Sequence, residues 1–286
     1  MHAFRILNVF TVDGDPFSGN PLCVFEDARG LSDAQMQSLA RQMNLSETTF
    51  VLPSTREDAD ARVRIFTPGF EMPFAGHPTL GTASVVAAAR GTPRVTLEMI
   101  AGLVAVESSE PSSWTLRAAK APATRAVDAS RDDLSAMLGL PAGSVSDEPL
   151  WVNTGVEQLV IPLASIDLVR ATKPVMALIE KHGFSATRQE AMAYVWARDE
   201  KDASKITVRF FFTSNGALLE DPATGSACAN LGGWFITRNA PRPMTATLSQ
   251  GAAIERPSRL GLRIDERDQI FVSGAVLEVG RGTIAL

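Results

Sequence analysis

Residues 71 to 81 read EMPFAGHPTLG, and residues 220 to 230 read EDPATGSACAN. Set on their first glutamates, both run Glu-x-Pro-x-x-Gly and then a polar side chain, His77 in one and Ser226 in the other. The agreement continues upstream. Asn8 and Asn153 lie 145 residues apart, as do Val63-Arg64-Ile65-Phe66 and Val208-Arg209-Phe210-Phe211, whereas Glu71 and Glu220 lie 149 apart. An offset that is constant and then grows in the loop after a strand describes a duplicated domain with one lengthened loop. A rival register matches His77-Pro78 to Asp221-Pro222 at an offset of 144 and shares Pro, Gly, Thr/Ser and Ala. The first register is preferred because it sets Gly76 and Gly225 at equivalent places, each directly ahead of an apolar, helix-like run; coincidence between short Gly/Pro motifs is the competing reading.

Working outward, FRILNVFTV and NPLCVFED read as strands around a turn rich in Asp, Gly and Pro. Ser32 caps a helix, DAQMQSLARQM, whose apolar positions recur at helical spacing and which stops at Asn44. ETTFVLP is a β-branched strand ended by Pro53, ARVRIFTP is another, and PTLGTASVVAAAR is a small-residue helix with Pro78 in its first turn. VTLEMIAGLVAVESS and SSWTLRA add strands. The second half repeats the theme: WVNTGVEQLVIPL as strands, Ile166 to His182 as mostly helix, AMAYVWAR and KITVRFFF as strands, then Ser226 opening the helix ACANLGGWFITR. Runs of strands with few helices between them predict antiparallel or mixed sheets, an α/β (α+β) fold without regular βαβ alternation. KAPATRAVDAS, residues 120–130, is the best linker candidate between the halves.

The 286 residues favour two domains, and 45% apolar with 21% charged residues describes a globular chain. A net charge of −5 with no basic cluster removes the footprint of a nucleic-acid partner. The N-terminus lacks a basic segment followed by an apolar one, and no run is long enough to span a bilayer, so a cytoplasmic protein without a membrane partner is expected. Cys23 and Cys228 stand far apart in apolar surroundings and read as reduced buried thiols; a disulfide or catalytic pair is the other reading. Three histidines without ligand spacing make a metal site unexpected, and GxGxxG and GxxxxGK[ST] are both absent, so a dinucleotide or nucleoside-triphosphate site has no support in the sequence.

Helices that open after Gly76 and Gly225 are rich in alanine, so a sheet can wrap closely around each. At such helix starts several amides lack internal partners and the dipole is positive, which favours an anion; glycine lets a ligand approach the backbone. A carboxylate cradle is the functional reading, and a simple helix-entry turn is the structural one. Glu47 follows a helix stop at the mouth of an apolar strand, where desolvation would suit it to acid–base work, although a solvated loop residue would have the same sequence. His77 and Asp221 gain interest from standing beside the two cradles; otherwise they read as a structural donor and a turn residue.

NVFTVDGDPFSGNPLCVF, NLSETTFV, RIFTPGFEMPFAGHPTLGTA, EDPATGSA and SQGAAIERPSRL together resemble successive signature segments of the phenazine-biosynthesis PhzF-like family, of the diaminopimelate-epimerase-like fold. The resemblance implies two similar domains, each a curved sheet around a central helix, here residues 1–118 joined by a last strand at roughly 277–286, and residues 119–276. It implies an active site in a cleft between them, a homodimer, and an isomerase that needs no cofactor. By resemblance Glu47 is the catalytic acid/base, His77 and Asp221 its supporting pair, and Ser226 a substrate contact; Gly76, Gly225 and Asn20 join Ser226 in binding substrate. Racemases of this fold carry a cysteine just before each glycine, where this chain has Ala75 and Thr224. A two-thiol mechanism at these positions is therefore ruled out, and one carboxylate is expected to move a proton within one face of a small carboxylate substrate. A carboxylate-binding protein without turnover, or an epimerase or dehydratase on the same scaffold, are the alternatives.

Overall fold

In the computed structural model, which describes residues 1–110, 112–214 and 216–286, the chain divides into Met1–Arg117 with Ser273–Leu286, and Ala118–Val272. The first unit contains β1 (His2–Val9), β2 (Asn20–Phe25), α1 (Asp33–Met43), β3 (Glu47–Leu52), β4 (Ala61–Phe66), β5 (Glu71–Met72), α2 (Gly76–Arg90), β6 (Arg94–Met99), β7 (Gly102–Glu110) and β8 (Ser113–Arg117). The second contains β9 (Ala123–Ala126), α3 (Arg131–Met137), β10 (Leu150–Asn153), β11 (Glu157–Pro162), α4 (Ile166–Ala171), α5 (Met176–His182), β12 (Phe184–Ser185), β13 (Glu190–Arg198), β14 (Lys205–Ser214), β15 (Ala217–Asp221), α6 (Gly225–Thr237), β16 (Met244–Gln250) and β17 (Ser258–Ile264). Strand β18 (Ile270–Ile284) starts in the second and ends in the first.

The pairing order explains why the motif occurs twice. In the first unit β2 and β3 are parallel, β3 and β4 antiparallel, β5 folds back on β4, and β4 runs parallel to β6, which turns into β7. In the second, β11 and β13, β13 and β14, β14 and β15, β14 and β16, and β16 and β17 repeat the same relations in the same order. Phe66 lies opposite Glu71 and Phe211 opposite Glu220. The two hairpins therefore close on equivalent residues, and the expected longer loop is instead a longer pair of arms: β14 and β15 stay paired from Phe211↔Glu220 out to Ser214↔Ala217, which accounts for the change of offset from 145 to 149. Each glutamate then holds a strand arginine two-pronged: Arg64 with Glu71 at 2.6 and 2.6 Å, Arg209 with Glu220 at 2.9 and 2.7 Å. The arginines lie over Phe66 and Phe211, 5.0 and 4.7 Å from the ring centroids. The repeated glutamates thus serve as hairpin clamps, since a rigid guanidinium fork suits a carboxylate and an aromatic face at once.

In the first unit β1 pairs with both β2 and β18, and β18 pairs with β8, so the sheet closes into a ring. Helix α2 packs against β1, β2, β3, β4, β6, β7 and β8 and is buried nearly all round. Its small residues make this possible: a Cβ at Gly81 would sit 2.5 Å from Leu22 Cδ2 and 3.0 Å from Val9 Cγ2. Helix α1 covers the outside of β3 and β4 through Met36, Leu39 and Ala40, over a ladder of Phe25, Phe50 and Phe66. The rings of Phe25 and Phe50 stack at 4.9 Å and Phe66 meets Phe50 edge-on at 5.4 Å. Ser32 and Gln35 form a reciprocal cap at the start of α1, and Asn44, where the sequence predicted the stop, ends it in the left-handed conformation at φ 52°.

In the second unit α6 packs against β9, β10, β11 and β17. A Cβ at Gly233 would lie 2.8 Å from both Pro122 Cβ and Val152 Cγ1, the same close wrapping as in the first unit. Two expectations need correction. Residues 123–126 are strand β9, paired antiparallel with β10 from Leu150↔Ala126 to Asn153↔Ala123, so KAPATRAVDAS holds a strand of the second unit, which already begins at Ala118, and is not a linker. The helix expected from Ile166 to His182 is interrupted between α4 and α5, where Pro174 cannot donate a helical hydrogen bond.

Candidate active site

The parallel register of β2 with β3, Leu22 opposite Glu47, places the starts of both strands together. Helix α2 begins at this end with Gly76, and His77 is its second residue. Glu47 is the first residue of β3, its side chain 15% exposed, and its Oε2 lies 3.3 Å from Nε2 of His77, whose side chain is 6% exposed. The other ring nitrogen, Nδ1, is 3.3 Å from Nδ2 of Asn20, the fully buried first residue of β2. Asn20 Oδ1 in turn accepts from Ser46 Oγ at 3.1 Å. Ser46, Asn20, His77 and Glu47 thus form one line of polar contacts beneath the start of α2. The N-cap, Ala75, is extended at φ −150° and offers no capping side chain, so the first turn keeps its positive end uncompensated by a cap.

The second unit builds a related group at the start of α6. Asp221 ends β15, Thr224 is the N-cap, and Gly225 and Ser226 are the first two helical residues. The Thr224 hydroxyl donates to Asp221 Oδ2 in place of capping the helix. Gln250, the last residue of β16 and 2% exposed, braces both: Nε2 donates to the Asp221 carbonyl at 2.9 Å and to Thr224 Oγ1 at 3.1 Å, while Oε1 accepts from Thr224 N at 3.2 Å. Ser226 Oγ accepts from Gln158 Nε2 at 2.9 Å. Gln158 accepts from Asn230 Nδ2, and Asn230 Oδ1 accepts from Thr154 N at 2.8 Å and Thr154 Oγ1 at 2.7 Å. Buried amides with every such bond made hold the helix start in one position, because breaking one leaves a desolvated polar atom at a cost of about 1–3 kcal/mol.

Within each unit, then, the residues singled out from the sequence come together: Asn20, Glu47, Gly76 and His77 in the first, Asp221, Gly225 and Ser226 in the second. The amide of Asn20, expected to bind substrate, is engaged by Ser46 and His77. Sequence reasoning missed Ser46, Gln158, Asn230 and Gln250. Only Ser46 carried a local signal, as the neighbour of Glu47; the other three are brought in by strand pairing and by the turn of a helix. Both thiols are out of play as nucleophiles. Burial pushes Cys23 up to about 12 and pushes Cys228, one turn into α6, higher still, so each remains a neutral thiol at physiological pH.

Two similar units, each setting a polar group at the start of a buried helix that no side chain caps, build a fold of the epimerase-like class. The family described as "Phenazine biosynthesis-like protein" matches residues 7–281, and the chain belongs to it. An uncharacterized isomerase of Pasteurella multocida is 39% identical over 284 residues, covering 99% of this chain and 94% of its own. Trans-2,3-dihydro-3-hydroxyanthranilate isomerase of Pseudomonas fluorescens is 35% identical over 296 residues, with both chains covered completely. The crystal structure of a PhzF-family phenazine biosynthesis protein from Bacillus anthracis superposes with a TM-score of 0.84 at 25% identity, covering 100% of this chain and 99% of that one. The protein is an isomerase of this family.

Proposed function

We propose that the protein moves a proton within a small unsaturated or cyclic carboxylate, with Glu47 as the single acid and base and no cofactor. The observation that carries this reading is the contact of 3.3 Å between Glu47 and His77 at the uncapped start of α2. Glu47, as carboxylate, takes a proton from one carbon; the electron pair left behind is delocalised over the unsaturated system; the same carboxyl group returns the proton to a second carbon on the same face. Charge that develops on the substrate is met by the amides and dipole of the helix start. His77 donates to Glu47 while it is ionised and so steadies the base between steps. We assign Asp221, Gly225 and Ser226 as further substrate contacts, with Gln250 and Gln158 holding them in place.

The substrate class follows from the cradle, which suits a carboxylate, and from the Pseudomonas fluorescens relative, whose name gives a cyclic dihydroanthranilate. The test is to incubate the protein in deuterated buffer with a panel of small carboxylates that includes trans-2,3-dihydro-3-hydroxyanthranilate. Product formation with isotope exchange at the reacting carbon is expected, and Glu47→Gln is expected to lower turnover by about 100- to 10,000-fold, the range for a lost acid–base group. A Glu47→Gln protein that keeps full turnover overturns the proposal.

A further inference from the structure

The geometry points to Asn20 as a positioning residue that fixes the tautomer of His77, so that the ring presents an N–H to Glu47. Its importance for turnover rests on the reading of Glu47 as the acid/base; the tautomer itself does not. A neutral imidazole has one nitrogen that donates and one that accepts, and the partner of one decides the state of the other. An amide nitrogen only donates. With Asn20 Nδ2 3.3 Å from Nδ1, that ring nitrogen is the bare acceptor and the proton resides on Nε2, 3.3 Å from Glu47 Oε2.

In a neutral ring the opposite orientation of the amide would require a proton on Nδ1 and leave a bare Nε2 against a carboxylate oxygen. Two acceptors at 3.3 Å repel in a site as buried as this one, where His77 is 5% exposed. Ser46 completes the arrangement: its hydroxyl donates at 3.1 Å to Asn20 Oδ1, so both ends of the amide are engaged. Because Ser46 is the residue before Glu47, the backbone that carries the base also carries the group that orients the amide. Asn20 thereby sets which ring nitrogen carries the proton, and so what His77 turns toward Glu47, without itself meeting the reacting atoms.

Imidazole nitrogen NMR reads this directly. The full chain is labelled with nitrogen-15 histidine and carries His2→Gln and His182→Gln, which leaves His77 as the only histidine. At about pH 8, above the ordinary histidine range, a protonated Nε2 and an unprotonated Nδ1 are expected. Asn20→Asp keeps the shape but offers only acceptors, so the Nδ1 resonance is expected to move to its protonated position. A proton on Nδ1 in the parent protein overturns the inference, as does an Asn20→Asp variant, folded by circular dichroism, with the parent's ring pattern. If Asn20→Asp does not fold, the parent spectrum alone decides. The two readings separate cleanly: full turnover in Glu47→Gln removes the proposed chemistry and leaves the tautomer standing, whereas loss of turnover in Glu47→Gln beside a protonated Nδ1 removes only the role of Asn20.

Discussion

Gly251 follows the brace residue Gln250, and its substitution by alanine tests whether the turn that ends β16 is as tight as it looks. Gly251 has φ +76°, and a Cβ there would meet the Pro222 carbonyl oxygen at 2.5 Å and the Arg256 carbonyl oxygen closer still. Gly143, in the same unit, has φ +79° with nothing within 4 Å of its would-be Cβ. The left-handed conformation costs an L-residue about 1–2 kcal/mol at either position. Only Gly251→Ala must also move backbone on both sides, for which overpacking data suggest a further ~1–3 kcal/mol. The difference between the two variants therefore isolates the steric part, at ~1–3 kcal/mol in favour of Gly143→Ala. At about 2–4 °C per kcal/mol for a unit of this size, that is a gap of roughly 2–12 °C in Tm. Thermal unfolding followed by tryptophan fluorescence is the assay, since Trp151, Trp196 and Trp234 all belong to the second unit. Equal losses in the two variants, or a milder loss for Gly251→Ala, would refute the reasoning. Because the displaced Pro222 adjoins Asp221, Gly251→Ala should also reduce turnover, and Gly143→Ala should leave it unchanged.

Two more outcomes are expected besides those for Glu47 and Asn20. Neither Cys23 nor Cys228 should react with a thiol reagent in the native protein, and both should react after denaturation; a native signal from either would contradict their burial and their raised pKa values. At Glu157, desolvation pushes the carboxyl up, but bonds from Arg125 at 3.1 Å, Ser185 at 2.6 Å and Thr187 at 3.1 Å outweigh it and hold the group below its ordinary 4.5. A depressed folded value stabilises the native state above the unfolded value, and that contribution fades as pH falls through the folded one. Glu157→Gln should thus be less stable than the parent near pH 7, with the gap narrowing below about pH 4; a gap that stays constant across this range would show that the charge is not what matters.

Much of this architecture is readable in the chain before any coordinates. The caps of α1 lie in adjacent residues, Ser32 with Gln35 and Asn44, and local chemistry alone decides them. The paired motifs were readable because hairpin clamp, glycine and helix start follow one another within a dozen residues. The reasons for the misses are equally physical. Ala123, Thr124, Arg125 and Ala126 are all exposed, so β9 has no alternation of apolar and polar residues to announce it, and only its pairing with β10 makes it a strand. Asn20 reaches His77 across 57 residues, Gln250 reaches Thr224 across 26, and Gln158 reaches Ser226 across 68. Contacts of that range are fixed by strand register, which a single sequence does not display. Asn20 was therefore noticed as a candidate substrate contact, while its contact with the His77 imidazole was not.

The pairing of β1 with β18 has a consequence for synthesis. His2 lies opposite Ile284 and Val9 opposite Val276, so β1, once synthesised, waits for β18. At 5–20 residues per second that interval is roughly 15–55 s. Throughout it β1 presents an unsatisfied edge, the kind of surface on which nascent chains aggregate or recruit chaperones. The second unit, continuous from Ala118 to Val272, has no such wait and can fold while its neighbour is still incomplete. A ribosome-stalled chain cut after residue 272 and held clear of the exit tunnel by an unrelated linker should accordingly protect the later half from protease and leave the earlier half open to it.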